Sequence, residues 1–211
     1  MALAPDNSVR ERPIVRPRHR AALWTALAVS LIATATLAFA PIGLAQPTGQ
    51  QTARACKLHP NRAKCRPATA TIAAAHALPA DWRTDMLASV NAQRMSKGAP
   101  DLRACARLDQ VAQAYAAEMA AANHFDHTGP DGRSPFDRME GAGYDYAYAA
   151  ENIAAGQRSV REVMAGWIDS PGHYANIVNP HLGDVGFGYA YKAGSDYGTY
   201  WVQSFGSGGS C

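Results

Sequence analysis

SVREVMAGWIDSPGHYANIV, residues 159–178, sets two helices end to end and carries a glutamate and a histidine between them. Ser159 followed three residues later by Glu162 has the pattern of a capping box, placed ahead of Val163, Met164, Trp167 and Ile168 at helical spacing. Ser170 followed by Pro171 is a second cap with proline at the first helical position, opening a turn through His173 to Ile177. The same punctuation recurs upstream, where Ser134 and Pro135 open a short helix predicted to end before Gly141 and Gly143. Trp82, Met86 and Val90 recur every four residues and predict a helix stopped near Gly98 and Pro100. A further helix is predicted to start at Asp109 as its N-cap, with Val111, Ala112, Tyr115, Met119 and Ala122 on one face.

Downstream the period changes from helical to alternating. Val185, Phe187, Tyr189 and Tyr191 alternate with small residues, and Tyr200, Val202 and Ser204 alternate with Trp201, Gln203 and Phe205. The Ala193–Asp196 stretch between them is turn chemistry, so the two runs predict an antiparallel hairpin. A third strand is expected around Tyr146 to Tyr148, before Glu151, with packing as the expected role of Tyr144, Tyr146 and Tyr148. Four or five helices with a short antiparallel sheet make an α+β domain.

The chain has 211 residues, room for one ordinary domain and an appendage. Its formal charge of +3 is unevenly distributed. Residues 1–45 hold five arginines against Asp6 and Glu11, residues 46–80 hold five basic residues and no acid, and the remainder holds ten basic and fifteen acidic residues. The folded part is therefore acidic, which argues against nucleic acid as a partner.

Arg16, Arg18, His19 and Arg20 precede 25 uncharged residues, Ala21 to Ala45, the layout of an export leader. Gly43, Leu44 and Ala45 suit cleavage before Gln46; Ala38 to Ala40 is a poorer site because Pro41 follows. The alternative is an uncleaved anchor, long enough to span a bilayer of about 30 Å hydrocarbon thickness. In either case the positive charges stay in the cytoplasm and the rest of the chain lies outside, so a membrane is a partner only through an uncleaved leader. The expected organisation is a signal peptide or signal anchor over 1–45, a linker with a small cysteine loop over 46–80, and a domain over 81–211.

The four cysteines follow the leader and fit an oxidising compartment. Three pairings are possible; proximity favours Cys56 with Cys65, leaving Cys105 with Cys211. A metal site at Cys56, His59 and Cys65 lacks a partner pair at zinc-finger spacing.

Three segments concentrate polar residues: HFDHTGPDGRS at 124–134, AENIAAG at 150–156, and the opening stretch at 159–178. With VNAQR at 90–94 and the closing GDVGFGYAY and YWVQSFG, their order and spacing resemble the CAP superfamily of cysteine-rich secretory and pathogenesis-related proteins, in its short bacterial form. The resemblance covers residues 81–207. It implies an α-β-α sandwich with a short central antiparallel sheet, and a cleft in which His127, Glu151, Glu162 and His173 face one another. In some relatives the paired imidazoles hold a divalent metal, often zinc, which here would fall to His127 and His173. Two neutral imidazoles with a nearby carboxylate are chemically suited to that, and a bound metal could activate water for hydrolysis.

Each of the four also has a purely structural reading. Glu162 caps a helix, His173 bonds a neighbouring loop, His127 organises the turn near Gly129 and Gly132, and Glu151 anchors a loop. His124 is expected as a helix-end residue rather than a ligand. Two functions follow. The first is a secreted or envelope-associated, non-catalytic module binding a lipid, a cell-wall polymer or a protein. The second is a metal-dependent hydrolase with Glu151 or Glu162 as general base. Neither a G-x-S-x-G elbow nor an HExxH helix is present to support a better-known hydrolase.

Overall fold

A computed structural model of the chain describes residues 1–4, 9–11 and 76–211. The leader from Ala21 to Ala45 and the Cys56–Cys65 loop lie outside the described residues. Five helices are described: α1 (Trp82–Ser96), α2 (Ala106–Ala122), α3 (Pro135–Gly141), α4 (Val160–Asp169) and α5 (Pro171–Ile177). The strands are β1 (Ala2–Leu3), β2 (Val9–Glu11), β3 (Arg103–Ala104), β4 (Tyr148–Ala155), β5 (Asp184–Tyr191) and β6 (Thr199–Ser207).

They form one sheet in the order β1-β4-β6-β5-β3, with β2 also on β4. The hairpin expected from the alternating sequence is β5–β6, antiparallel from Asp184↔Gly206 to Tyr191↔Thr199. All pairs are antiparallel except the two-residue β3 beside β5, so the expected antiparallel sheet is mixed at that edge.

The alternation of strand side chains splits the core into two layers. Ala150, Ala154, Trp201 and Phe205 pack with Trp82, Met86 and Val90 of α1, Val163 and Trp167 of α4, and Ile177 of α5. Ile153, Ala155, Tyr200 and Val202 face Ala112, Tyr115, Ala116 and Met119 of α2. The α-β-α sandwich is therefore built on β4, β5 and β6. Two glycines of β5 set the distance of α2: a Cβ on Gly186 would collide with the Leu108 carbonyl carbon, and one on Gly188 with the Ala112 carbonyl oxygen.

Two sequence expectations need correction. Asp109 is not the N-cap of α2; Cys105 is, with extended backbone. The Asp109 carboxylate instead accepts from the Phe187 N–H at 2.7 Å, tying α2 to β5. The third strand does not end before Glu151 but runs through it to Ala155, because Glu151 and Asn152 find buried partners on the two faces. Tyr144 and Tyr146 are buried, as the packing role requires. Cys105 and Cys211 are disulfide-bonded with Cα atoms 5.0 Å apart.

Candidate functional site

Strand β4 carries the site. Its residues alternate across the sheet, so Glu151 shares a face with Ile153 and Ala155 while Asn152 shares the opposite face with Ala150 and Ala154. Glu151 is fully buried, and both of its oxygens are engaged. Oε1 lies 2.8 Å from His127 Nδ1, and Oε2 accepts from Arg138 Nη2 at 2.9 Å.

Arg138 reaches Glu151 from α3. The helix is placed by a full capping box at Ser134 and Asp137, with Pro135 at its first position. The same guanidinium donates to the carbonyls of His127 at 3.0 Å and Arg133 at 2.9 Å, and its centre lies 3.3 Å from the centroid of the Tyr115 ring. The Tyr115 hydroxyl donates to the Asp126 carbonyl. Burial is the main cause that pushes the Tyr115 phenol well above its usual range. One buried ion pair thus organises the whole 124–134 loop and presents His127. The His127 ring is oriented through Nδ1, and its Nε2 is buried without a hydrogen-bond partner.

His173 belongs to the helix that packs on the Asn152 face of β4. It stands in the first turn of α5, buried, with Nδ1 2.7 Å from Ser170 Oγ. Asn152 Nδ2 donates to the His173 carbonyl at 3.1 Å and to Gln203 Oε1 at 3.0 Å, while Asn176 Nδ2 donates to Asn152 Oδ1 at 2.9 Å. This amide network fixes α5 to the strand. The His127 ring is thus held through the Glu151 side chain, and the His173 backbone through the side chain of Asn152, the next residue on β4.

Glu162 sits in the first turn of α4. Its backbone N–H donates to Ser159 Oγ at 3.2 Å, and its carboxylate accepts from the Arg158 N–H at 2.8 Å. The side chain thus reaches one residue past the N-cap and serves the helix end. His124 follows α2, with Nε2 2.8 Å from the Thr128 carbonyl. Among the described residues no group of three or more His, Cys, Asp and Glu is arranged to hold a metal ion. A groove of about 540 Å³ between α1 and α4, lined by Asp85, Gln93, Val160, Met164 and Ile168 among others, includes none of the four predicted residues.

The family resemblance singled out His127, Glu151, Glu162 and His173 but pointed to none of Arg138, Tyr115, Ser170 and Asn176, which hold the first, second and fourth in place. Arg138 follows the Ser134 cap by one helical turn, the spacing that turns it back toward the loop before the helix. That was the available signal.

The model of the CAP cysteine-rich secretory protein family matches residues 87–205. YkwD, an uncharacterized protein of Bacillus subtilis, is 34% identical over 160 residues, 74% of this chain and 60% of that protein. YlbC, an uncharacterized membrane protein of the same organism, is 29% identical over 96 residues, 46% of this chain and 26% of that protein. The chain thus spans less than two thirds of the length of either relative. Among solved structures, an extracellular SCP-domain protein of Bacillus anthracis matches with a TM-score of 0.54 at 25% identity, covering 62% of this chain and 44% of that one. An outer surface protein of Borrelia burgdorferi matches with a TM-score of 0.52 at 21% identity, covering 58% and 90%. With more than half of the chain inside the family model and its fold shared by these structures, the chain belongs to the CAP, or cysteine-rich secretory protein, family.

Proposed function

We propose that the chain is an exported, envelope-side binding module whose ligand is received where His127 and His173 are held on β4, and that it is not a hydrolase. The observation that carries this is the commitment of both candidate bases. Glu151 has one oxygen on His127 and the other on Arg138, and Glu162 is spent on the start of α4. A general base needs a lone pair within reach of the proton it removes, whereas these carboxylates hold loop and helix in place. Extracellular and outer-surface proteins share the fold, which supports an envelope location.

A divalent metal, as the family resemblance implies, would draw on His127 and His173. The His127–Glu151 contact has the form of a carboxylate orienting a ligand histidine. A resident zinc site takes three or four protein donors, and among the described residues no three His, Cys, Asp or Glu are grouped to hold one. The donor set does not fit a resident zinc site.

The test compares the purified chain with its His127→Ala and His173→Ala variants for retention on isolated cell envelope, for divalent metal by elemental analysis, and for hydrolysis. Retention that falls about tenfold in the variants, from loss of a contact at the centre of the site, is the expected result. A hydrolytic activity that requires both histidines would overturn the reading in favour of the metal-dependent alternative. Export itself is tested by sequencing the N-terminus of the product, which is expected to begin at Gln46.

A further inference from the structure

Among the described residues, the outer edge of β4 is covered by residues 2–3 and 9–11. Ala2 and Leu3 pair antiparallel with Ala155 and Ala154, and residues 9, 10 and 11 pair with Ala150, Ala149 and Tyr148. The two short strands bracket Glu151–Ile153, the part of β4 that holds His127 and His173. Side chains seat as well as backbone. Ala4 is buried in the cluster of Ile153, Tyr115 and Tyr200, Leu3 packs on the cluster containing Trp167, the Arg10 guanidinium lies 4.9 Å from the Phe136 ring centroid, and Glu11 accepts from the Tyr148 hydroxyl at 2.9 Å.

This pairing is in conflict with export. The positive charges of Arg16, Arg18 and Arg20 keep the segment before the leader in the cytoplasm while the domain crosses, and cleavage before Gln46 removes it altogether. Either outcome separates residues 1–11 from β4. The strand left behind reads YAAENIAA, with no lysine, no proline and no charge other than the internally paired Glu151. It lacks the devices by which sheet edges are ordinarily kept from pairing with another chain.

We infer that the β4 edge is a strand-addition site, that residues 2–3 and 9–11 occupy it as a removable strap only in a chain that has not been exported, and that its ligand on the exported domain is an extended peptide. The inference rests on the binding reading above and names the class of ligand. In strand addition, main-chain hydrogen bonds supply the affinity and alternate side-chain seats the selectivity. The strap shows what the seats take: a small residue opposite Ala155, then an apolar one opposite Ala154, and a cation over Phe136 further along.

The experiment uses the full chain with a site-specific protease sequence placed between residues 46 and 75 and cut after folding. On dilution the N-terminal fragment is expected to leave, with near-ultraviolet circular dichroism retained. Amide exchange along Tyr148–Ala155 should then accelerate by about tenfold or more as the edge loses its partner. A synthetic peptide of residues 1–15, added in trans, should restore protection saturably, and the same peptide with Ala4→Asp should not. A fragment that stays bound through dilution, a domain that loses its near-ultraviolet signal when the fragment leaves, or a peptide that gives no protection would each overturn the inference. Envelope retention is measured before and after the cut. Peptide exchange without any gain in retention would uphold the strand site and overturn the binding function.

Discussion

At the scale of single residues, the charge at Glu151 and that at Arg138 stand or fall together. Arg138 is 6% exposed and Glu151 not at all, so removing one partner leaves the other charged and buried. Glu151→Gln is expected to cost about 3 kcal/mol in urea-melt stability, whereas Glu151→Leu combined with Arg138→Met is expected to cost less than the single change, because well-packed apolar groups replace a buried pair at little loss. A second readout separates site from scaffold: in Glu151→Gln the imidazole resonances of His127 should shift and broaden, since Nδ1 loses the carboxylate that orients the ring. His173 depends on Ser170 and on the Asn152 and Asn176 amides instead, so its resonances should be little changed.

At the scale of elements, the contact of α2 with β5 depends on two absent methyl groups. Gly188→Ala would drive a Cβ into the Ala112 carbonyl, so helix or strand must shift, and a loss of about 3 kcal/mol is expected by urea unfolding. Gly141→Ala, where an added Cβ meets nothing within 4 Å, should leave stability within about 0.5 kcal/mol. Much of the element order was legible in the sequence. Ser134–Pro135 and Ser170–Pro171 open helices where caps and prolines say they should, and the alternation of 185–191 and 200–205 is the β5–β6 hairpin. What was not legible depends on tertiary partners. Asp109 resembles a cap but is spent on the Phe187 N–H. Arg94 continues the buried Trp82–Met86–Val90 stripe, and a charged residue there has no place in an apolar period; it is accommodated because its guanidinium donates to the carbonyls of Pro100, Ile177, Asn179 and Leu182. Residues 1–11 read as the cytoplasmic end of a leader, and nothing in their short polar and apolar mixture announces two strands. At the site, the family pattern pointed to His127 and His173, but the partners that hold them, Glu151 on one face and Asn152 on the other, follow from the parity of β4, which its boundaries decide.

At the scale of the whole molecule, the Cys105–Cys211 bond closes a loop across 106 positions and ties the segment after β6 to the start of α2. Its removal by Cys105→Ala with Cys211→Ala is expected to cost about 4 kcal/mol. Under reductant, limited proteolysis should cut first beyond Ser207; equal cutting with and without reductant would count against a stabilising role. Alkaline titration reports on the core as a whole. Burial is the main cause that raises Tyr189 to about 12 and pushes Tyr115 and Tyr144 higher still, the last helped by its hydrogen bond to Asp184. Each phenol has a folded value above its unfolded value of 10.0, so its contribution is intact below that pH and is lost as pH rises through the folded value. Ultraviolet difference absorbance should show these three tyrosines ionising late, together with unfolding, from about pH 12 upward. The strand order has a consequence for the timing of assembly. β6 lies between β4 and β5, so the last of the described strands to be synthesised is the one at the centre of the sheet. Until it arrives, β4 and β5 keep only their short outer partners and cannot be joined into one sheet. Such a domain is expected to condense in one late step, after its C-terminal third has been made.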